Sequence, residues 1–290
     1  MRMYVYVIYG ILLIGLTSVV MGLEGKKEAA APVYYKDKAF VLLYHDVRQT
    51  LPAGKAGAST VSAEQLAEHL RMLKNRGFRI VPMDEFTAFM TGGGKLPPNA
   101  VVLTFDDGYE SFYTEAFPVL KAFGARASNF IVGISSDLFN PDADPHMTWE
   151  QLRTLKKHGM GIYSHTYDLH RMVRTKPGGS PAPALTAGMF MEQKVQPESE
   201  AAHRRRISSD IAFMEKRLEQ ETGAHRALLA FPYGAYDETA LEEGRNAGIE
   251  LFFTVEEGTN APGSRLVKRI NAGEPYMTAD MLWDRLNEFF

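Results

Sequence analysis

The sequence predicts a parallel α/β fold, a barrel of about seven to eight parallel strands. Three observations carry this. Short apolar, β-branched runs alternate with helical patterns along the chain. Several of those runs stop on His, Asp or Pro-Tyr-Gly, where a parallel barrel gathers its chemistry on one rim. The chain has 290 residues and is 45% hydrophobic, which suits one large core of barrel size.

The elements follow in order. Tyr4 to Leu23 is charge-free and almost wholly apolar, about 20 residues, long enough to cross a bilayer as a helix. Residues 1–23 are therefore expected to be a signal anchor or signal peptide, with the rest of the chain extracytoplasmic. Lys26 and Lys27 run against that orientation. Residues 24–38 read as a polar linker, and 39–290 as the main folded domain. Ala39 to Tyr44 is the first strand, ending on His45-Asp46. After a Gly- and Ala-rich loop, Ser62 and Gln65 form a capping box for a helix reaching Gly77. Phe78 to Val81 is a short strand and Met83 to Met90 a short helix. The strand Val101 to Phe105 stops at Asp106-Asp107-Gly108. A helix over 110–123 contains Pro118, so it is expected to kink or break there.

Ala127 to Val132 is the next strand. Thr148 with Gln151 caps a helix to His158, and Met160 to Tyr163 leads as a strand into His165. Residues 171–200 interrupt the rhythm with five Pro and Gly residues over 177–183. A long helix is expected from 198 to 222, then a strand Ala227 to Phe231 ending in Pro232-Tyr233-Gly234. A helix over 237–247, strands at 250–255 and 266–270, and a helix over 278–289 complete the chain.

Composition excludes several functions. A formal net charge of −3 gives no basis for nucleic-acid binding, and His203-Arg204-Arg205-Arg206 reads as a solvated helix face. With no cysteine there are no disulfides, no thiol nucleophile and no Cys-ligated metal. Histidines and carboxylates remain as ligands.

Asp106 and Asp107 end a buried strand, where one acid can hold a metal and the other act as base. An Asp-Asp-Gly turn capping the next helix accounts for them equally well on local grounds. His165 and His170 directly follow another strand. On a helix their five-position offset would not share a face, but in a loop two imidazoles can converge. With one Asp they would make a His₂-carboxylate site with open positions, suited to zinc or a similar cation. His45 and the Pro232-Tyr233-Gly234 turn stand at two further strand ends.

Thr104-Phe105-Asp106-Asp107-Gly108-Tyr109 resembles the first motif of the polysaccharide deacetylases, carbohydrate esterase family 4, with the NodB-like deformed barrel. Ser164-His165-Thr166-Tyr167-Asp168-Leu169-His170 resembles their second motif, in the wider spacing of the poly-β-1,6-N-acetylglucosamine deacetylases of biofilm systems. In those the order is circularly permuted, and Leu42-Leu43-Tyr44-His45-Asp46 fits the motif that moves to the N-terminus. Pro232-Tyr233-Gly234 matches the third. The resemblance covers roughly residues 38 to 275.

The resemblance implies a metal-dependent hydrolase that removes N-acetyl groups from an N-acetylglucosamine-containing cell-surface polysaccharide. Asp107, His165 and His170 would hold the cation, Zn²⁺ with Co²⁺ or Ni²⁺ as alternatives. Asp106 would be the general base and His45 the acid. Tyr233, with Pro232, would serve the substrate and oxyanion, and Asp46 would orient His45. The third motif usually carries an arginine that orients the base. None lies in Ala227 to Phe231, Arg226 comes too early, and Arg269 at the end of a late strand is the substitute. Competing readings are a peptidoglycan or chitin deacetylase, a non-catalytic membrane-tethered glycan-binding module, and an oxygenase using the same ligand types. Finally, Leu185, Met189, Phe190 and Met191 form an apolar cluster amid Arg171, Arg174, Lys176 and Lys194. The insert 171–200 is expected to dock on lipid, or else to fold back on the barrel.

Overall fold

The computed structural model describes residues 32–51, 58–191 and 196–290. The N-terminal run expected as an anchor lies outside them. Among the described residues no helix is long and apolar enough to cross a membrane. The segment expected as linker already belongs to the fold at its end. Tyr35 is buried and its hydroxyl donates to the Ala100 carbonyl at 2.8 Å. Tyr34 stacks on Phe78 and Phe290.

In chain order the strands are β1 (Ala39–Tyr44), β2 (Asp46–Arg48), β3 (Thr60–Ser62), β4 (Arg79–Ile80) and β5 (Ala100–Phe105). There follow β6 (Ser128–Ile131), β7 (Gly161–Ser164), β8 (Met172–Arg174), β9 (Pro181–Pro183), β10 (Phe190–Met191) and β11 (Gln196–Pro197). The last are β12 (Leu228–Ala230), β13 (Leu251–Phe253), β14 (Leu266–Val267) and β15 (Ile270–Asn271). The main sheet runs β14-β13-β12-β7-β6-β5-β1-β15, with β4 beside the start of β5, and every pairing in it is parallel. One expected strand, 266–270, is two. Its first half pairs with β13 and its second with β1, so segment 266–271 draws the two sheet edges together as a deformed barrel.

β1 and β5 are buried at all six positions each. That is why they read as continuous apolar runs rather than alternating ones: both faces are covered. Alternate residues still part company. Ala39, Val41, Ala100, Val102, Phe130, Tyr163, Ala230, Phe253 and Val267 share the barrel interior with Phe86 and Phe89 of helix Met83–Met90. Phe40, Leu42, Val101, Leu103 and Phe105 face the opposite way and join Leu66, Leu70, Leu152 and Leu282 of the outer helices. Continuing the inward parity one step past β1, β5, β7, β13 and β14 yields His45, Asp106, His165, Val255 and Arg269.

Both capping boxes form, at Ser62–Gln65 and Thr148–Gln151. The helix over 110–123 does not break: its backbone stays αR through Ala116 and Phe117, and the irregularity is a π-turn just ahead of Pro118. The π-turn at Phe112–Ala116 runs straight into helix Phe117–Ala122, and this wider turn stands where Pro118 cannot supply an i→i−4 N–H.

At Leu185 and Met189 the insert folds back on the barrel. It forms two short antiparallel pairs, β8 with β9 and β10 with β11. Leu185 and Ala184 are fully buried against Ile207 and Ile211 of helix Glu200–Thr222, and Met189 packs on the same cluster. Phe190 and Met191 are half-buried. Among the described residues, Leu185 and Met189 thus cover the flank of the barrel, while Met172 in β8 stays exposed. Lys194 lies outside the described residues.

Candidate active site

A cavity of about 840 Å³ opens at the C-terminal ends of the strands, with His45, Asp106, Asp107, His165, His170 and Tyr233 in its wall. This is the rim on which parallel barrels carry their chemistry. The four strand ends singled out in the sequence therefore meet.

The His165 ring is 2% exposed, and its Nδ1 donates to the Ala230 carbonyl at 2.8 Å. A carbonyl only accepts, so this contact sets the tautomer and leaves the Nε2 lone pair to face the cavity. His165 Nε2 is 3.4 Å from Asp107 Oδ1, and His170 Nε2 is 3.2 Å from the same oxygen. One ligand atom from each of the three residues falls within 4.8 Å of the others. Asp107 Oδ1 is buried yet has no hydrogen bond, despite the two imidazole nitrogens beside it. A buried orphaned carboxylate oxygen and two converging imidazoles fit a divalent cation held by Asp107, His165 and His170.

Asp106 is held differently. Arg269 Nη1 and Nη2 donate to its Oδ1 and Oδ2 at 2.7 and 2.8 Å, and Arg269 Nε donates to the Thr254 carbonyl at 2.8 Å. Both side chains are buried. Burial alone would push the Asp106 carboxyl up, but the guanidinium, with His165, holds it below the usual carboxylate range. Asp106 is thus an ionised carboxylate fixed in orientation. Arg226 lies elsewhere, paired with Glu250.

Burial lowers the pKa of His45, against the pull of Asp106 and Asp107. Its buried Nδ1 has no hydrogen-bond partner. Asp46 does not orient it. That carboxylate accepts from Arg48 and, at 2.6 Å, from the Ser111 hydroxyl. The inward parity of β1 carries His45 into the barrel. Arg48 also reaches Asp144 at 2.9 Å, which makes a charged wall on this side of the cavity. Ser111, Arg48, Asp144 and Val255 were not singled out in the sequence. Only Val255 had a legible signal, its parity in β13.

Backbone strain gathers here. Asp107, Thr166 and Tyr233 adopt φ of 71°, 72° and 58°, in the left-handed region that side chains avoid. Two glycines are required as well. A Cβ on Gly108 would lie 3.1 Å from the Ile131 side chain, and one on Gly234 2.3 Å from Val255. The Pro232–Gly234 turn presents the half-exposed Tyr233 ring against His170, centroids 4.5 Å apart. Pro232 itself is buried.

The family model for polysaccharide deacetylases matches residues 93–252. The chain belongs to the polysaccharide deacetylase family. The matched span holds Asp106, Asp107, His165, His170 and Tyr233, while His45 and Arg269 lie on either side of it. The chain is 30% identical over 247 residues to a poly-β-1,6-N-acetyl-D-glucosamine N-deacetylase of Escherichia coli O157:H7, covering 81% of this chain and 36% of that protein. It thus spans about a third of the length of the first curated relatives it matches. A Staphylococcus epidermidis protein of the same name is 24% identical, over 88% of this chain and 86% of the relative. Among solved structures, a de-N-acetylase from Aggregatibacter actinomycetemcomitans superposes with a TM-score of 0.76 at 27% identity, covering 86% of this chain and 99% of the other.

Proposed function

We propose that the protein is a metal-dependent N-deacetylase that hydrolyses the acetamide of N-acetylglucosamine units in poly-β-1,6-N-acetylglucosamine outside the cytoplasm. The observation that carries this is the pairing of two carboxylates in different states. Asp107 faces two imidazoles, and its neighbour Asp106 is clamped by Arg269. The names of the relatives support the polymer.

A divalent cation on Asp107, His165 and His170 would supply the positive charge that acidifies a water and polarises the acetamide carbonyl. Asp106, ionised and oriented, takes the proton from the attacking water. The water oxygen bonds to the carbonyl carbon, and the resulting oxyanion is held by the Tyr233 backbone N–H. His45 gives a proton to the amide nitrogen, the C–N bond breaks, and acetate and a free amine leave. A depressed pKa makes the His45 imidazolium a strong donor once formed.

The test is acetate release from three polymers: poly-β-1,6-N-acetylglucosamine, peptidoglycan and chitin. Preference for the first supports the reading, and preference for another moves the substrate but leaves the chemistry. No release from any of them, with metal bound, would overturn it in favour of a glycan-binding role.

A further inference from the structure

The loop from His165 to His170 sets where the two imidazoles stand. Its backbone groups find partners on three sides. Thr166 N–H donates to Ser164 Oγ at 3.1 Å and Leu169 N–H to Thr166 Oγ1 at 3.2 Å. The carbonyls of Thr166 and Tyr167 accept from the N–H groups of Gly133 and Ile134. The two middle N–H groups, of Tyr167 and Asp168, go elsewhere. They donate to Asp210 Oδ1 and Oδ2 at 2.8 and 2.7 Å.

Asp210 lies on helix Glu200–Thr222, far along the chain from the loop. That helix is itself braced. Arg206, one turn earlier, donates to the carbonyls of Ala184 and Ala187 at 2.7 and 3.0 Å and pairs with Glu198. The insert thus fixes the helix, and the helix presents a carboxylate to the loop. Among side chains of this size, only a carboxylate can accept two adjacent N–H groups with its two oxygens. Thr166, strained at φ of 72°, sits next to this clamp.

We propose that Asp210 is a positioning residue of the site: by accepting both N–H groups it fixes the course of the 166–169 loop and so the placement of His165 and His170. The inference rests on reading those histidines, with Asp107, as the cation ligands. Groups that orient ligands in this way commonly change metal affinity 10- to 100-fold when removed.

The full chain is stripped of metal, and Zn²⁺ affinity is measured by competition with a chromophoric chelator. The Co²⁺ ligand-field spectrum, the Tm of the metal-free protein, kcat and KM are recorded alongside. Asp210→Asn keeps the shape but turns one acceptor into a donor facing an N–H. It is expected to weaken Zn²⁺ binding about tenfold or more, shift the Co²⁺ spectrum and lower kcat with KM held. Arg206→Gln, which loosens the helix without touching the loop, is expected to lower Tm and leave affinity and spectrum unchanged. Asp210→Ala should exceed Asp210→Asn; if it does not fold, the isosteric variant decides. Wild-type affinity and spectrum in Asp210→Asn would overturn the inference while leaving the proposed function intact. A wild type that binds neither Zn²⁺ nor Co²⁺ would overturn the ligand assignment itself, and this inference with it.

Discussion

Arg269 and Asp106 meet face to face in the barrel interior, with two parallel N–H···O contacts of 2.7 and 2.8 Å between groups 163 residues apart in the chain. The arginine is fully buried, and removing it would leave a buried, unpaired carboxylate. Arg269→Gln is expected to cost about 3–5 kcal/mol of stability. It should also cut kcat by roughly 10²-fold or more through loss of the oriented base. Arg269→Lys keeps the charge but not the fork, so it should recover stability better than rate. Urea unfolding with steady-state kinetics checks both. A variant with wild-type kcat would remove Arg269 from the mechanism.

That pair also shows how far the sequence could be read. The strand ends carrying Asp106, Asp107, His165, His170 and His45 were legible because each follows a short apolar run. Strand parity turns His45, Asp106 and His165 inward, while Asp107, at left-handed φ, and His170, in the loop after β7, join them outside that parity. Arg269 was legible only as a position at a strand end. Nothing local shows that the 266–271 segment splits to pair with both sheet edges, which is what brings the guanidinium to Asp106. Asp46 misled for a related reason. Asp46 and His45 both line the cavity, but the Asp46 carboxylate is taken up by Ser111 and Arg48 and not by His45. Asp210 had no local signal at all, since its partners lie about 40 residues away and are backbone groups.

Asp107 and Asp106 should separate cleanly on mutation. Asp107→Ala removes the shared oxygen between the two imidazoles and is expected to lose bound metal and activity together. Asp106→Asn leaves that oxygen in place, so metal content should persist while turnover falls by roughly 10²- to 10⁴-fold. Metal analysis on the purified variants, set beside their rates, checks the assignment. Chelation of the wild type should abolish acetate release, and Zn²⁺, Co²⁺ or Ni²⁺ should restore it. Equal metal loss in both variants would mean the roles are not divided as described.

His45 should matter for rate and not for metal. It lies in the cavity wall but outside the three-ligand group. His45→Ala is expected to lower kcat by about 10²-fold or more with metal content unchanged. A substrate carrying an activated leaving amine should narrow that loss, because such an amine departs with less help from an acid. An equal loss on both substrates would move the proton donor to another group.

Asp210 supplies a pH signature of stability. Burial pushes its carboxyl up to about 6, although the two N–H groups and Arg206 pull it back. The folded state therefore holds this proton more tightly than the unfolded chain, whose aspartates titrate near 3.9. Between about pH 4 and 6 the native form binds the extra proton, so this residue's contribution falls as pH rises and levels off above about 6. Relative to Asp210→Asn, which does not titrate, metal-free wild type should lose stability across that window. Urea midpoints for the two proteins from pH 4 to 7 measure it. A flat difference would show that Asp210 titrates normally.

The insert 171–200 is the last test, because its chemistry and its position point in different directions. It leaves the active-site rim directly after His170 and carries basic side chains, features that suit a membrane surface. Yet Leu185 is completely buried against Ile207 and Ile211, and Arg206 spends its guanidinium on the carbonyls of Ala184 and Ala187. A leucine so placed belongs to the core, and truncating it leaves a cavity that a pinned loop cannot collapse to fill. Leu185→Ala is expected to cost about 2–5 kcal/mol of stability. It should leave unchanged the co-sedimentation with anionic vesicles of a chain beginning at Val33. Like Arg206→Gln, the variant loosens the insert against the helix without touching the hydrogen bonds of the 166–169 loop, so Zn²⁺ affinity should stay unchanged. A stability change under about 0.5 kcal/mol, the range of ordinary surface substitutions, with reduced vesicle binding would return the loop to the membrane.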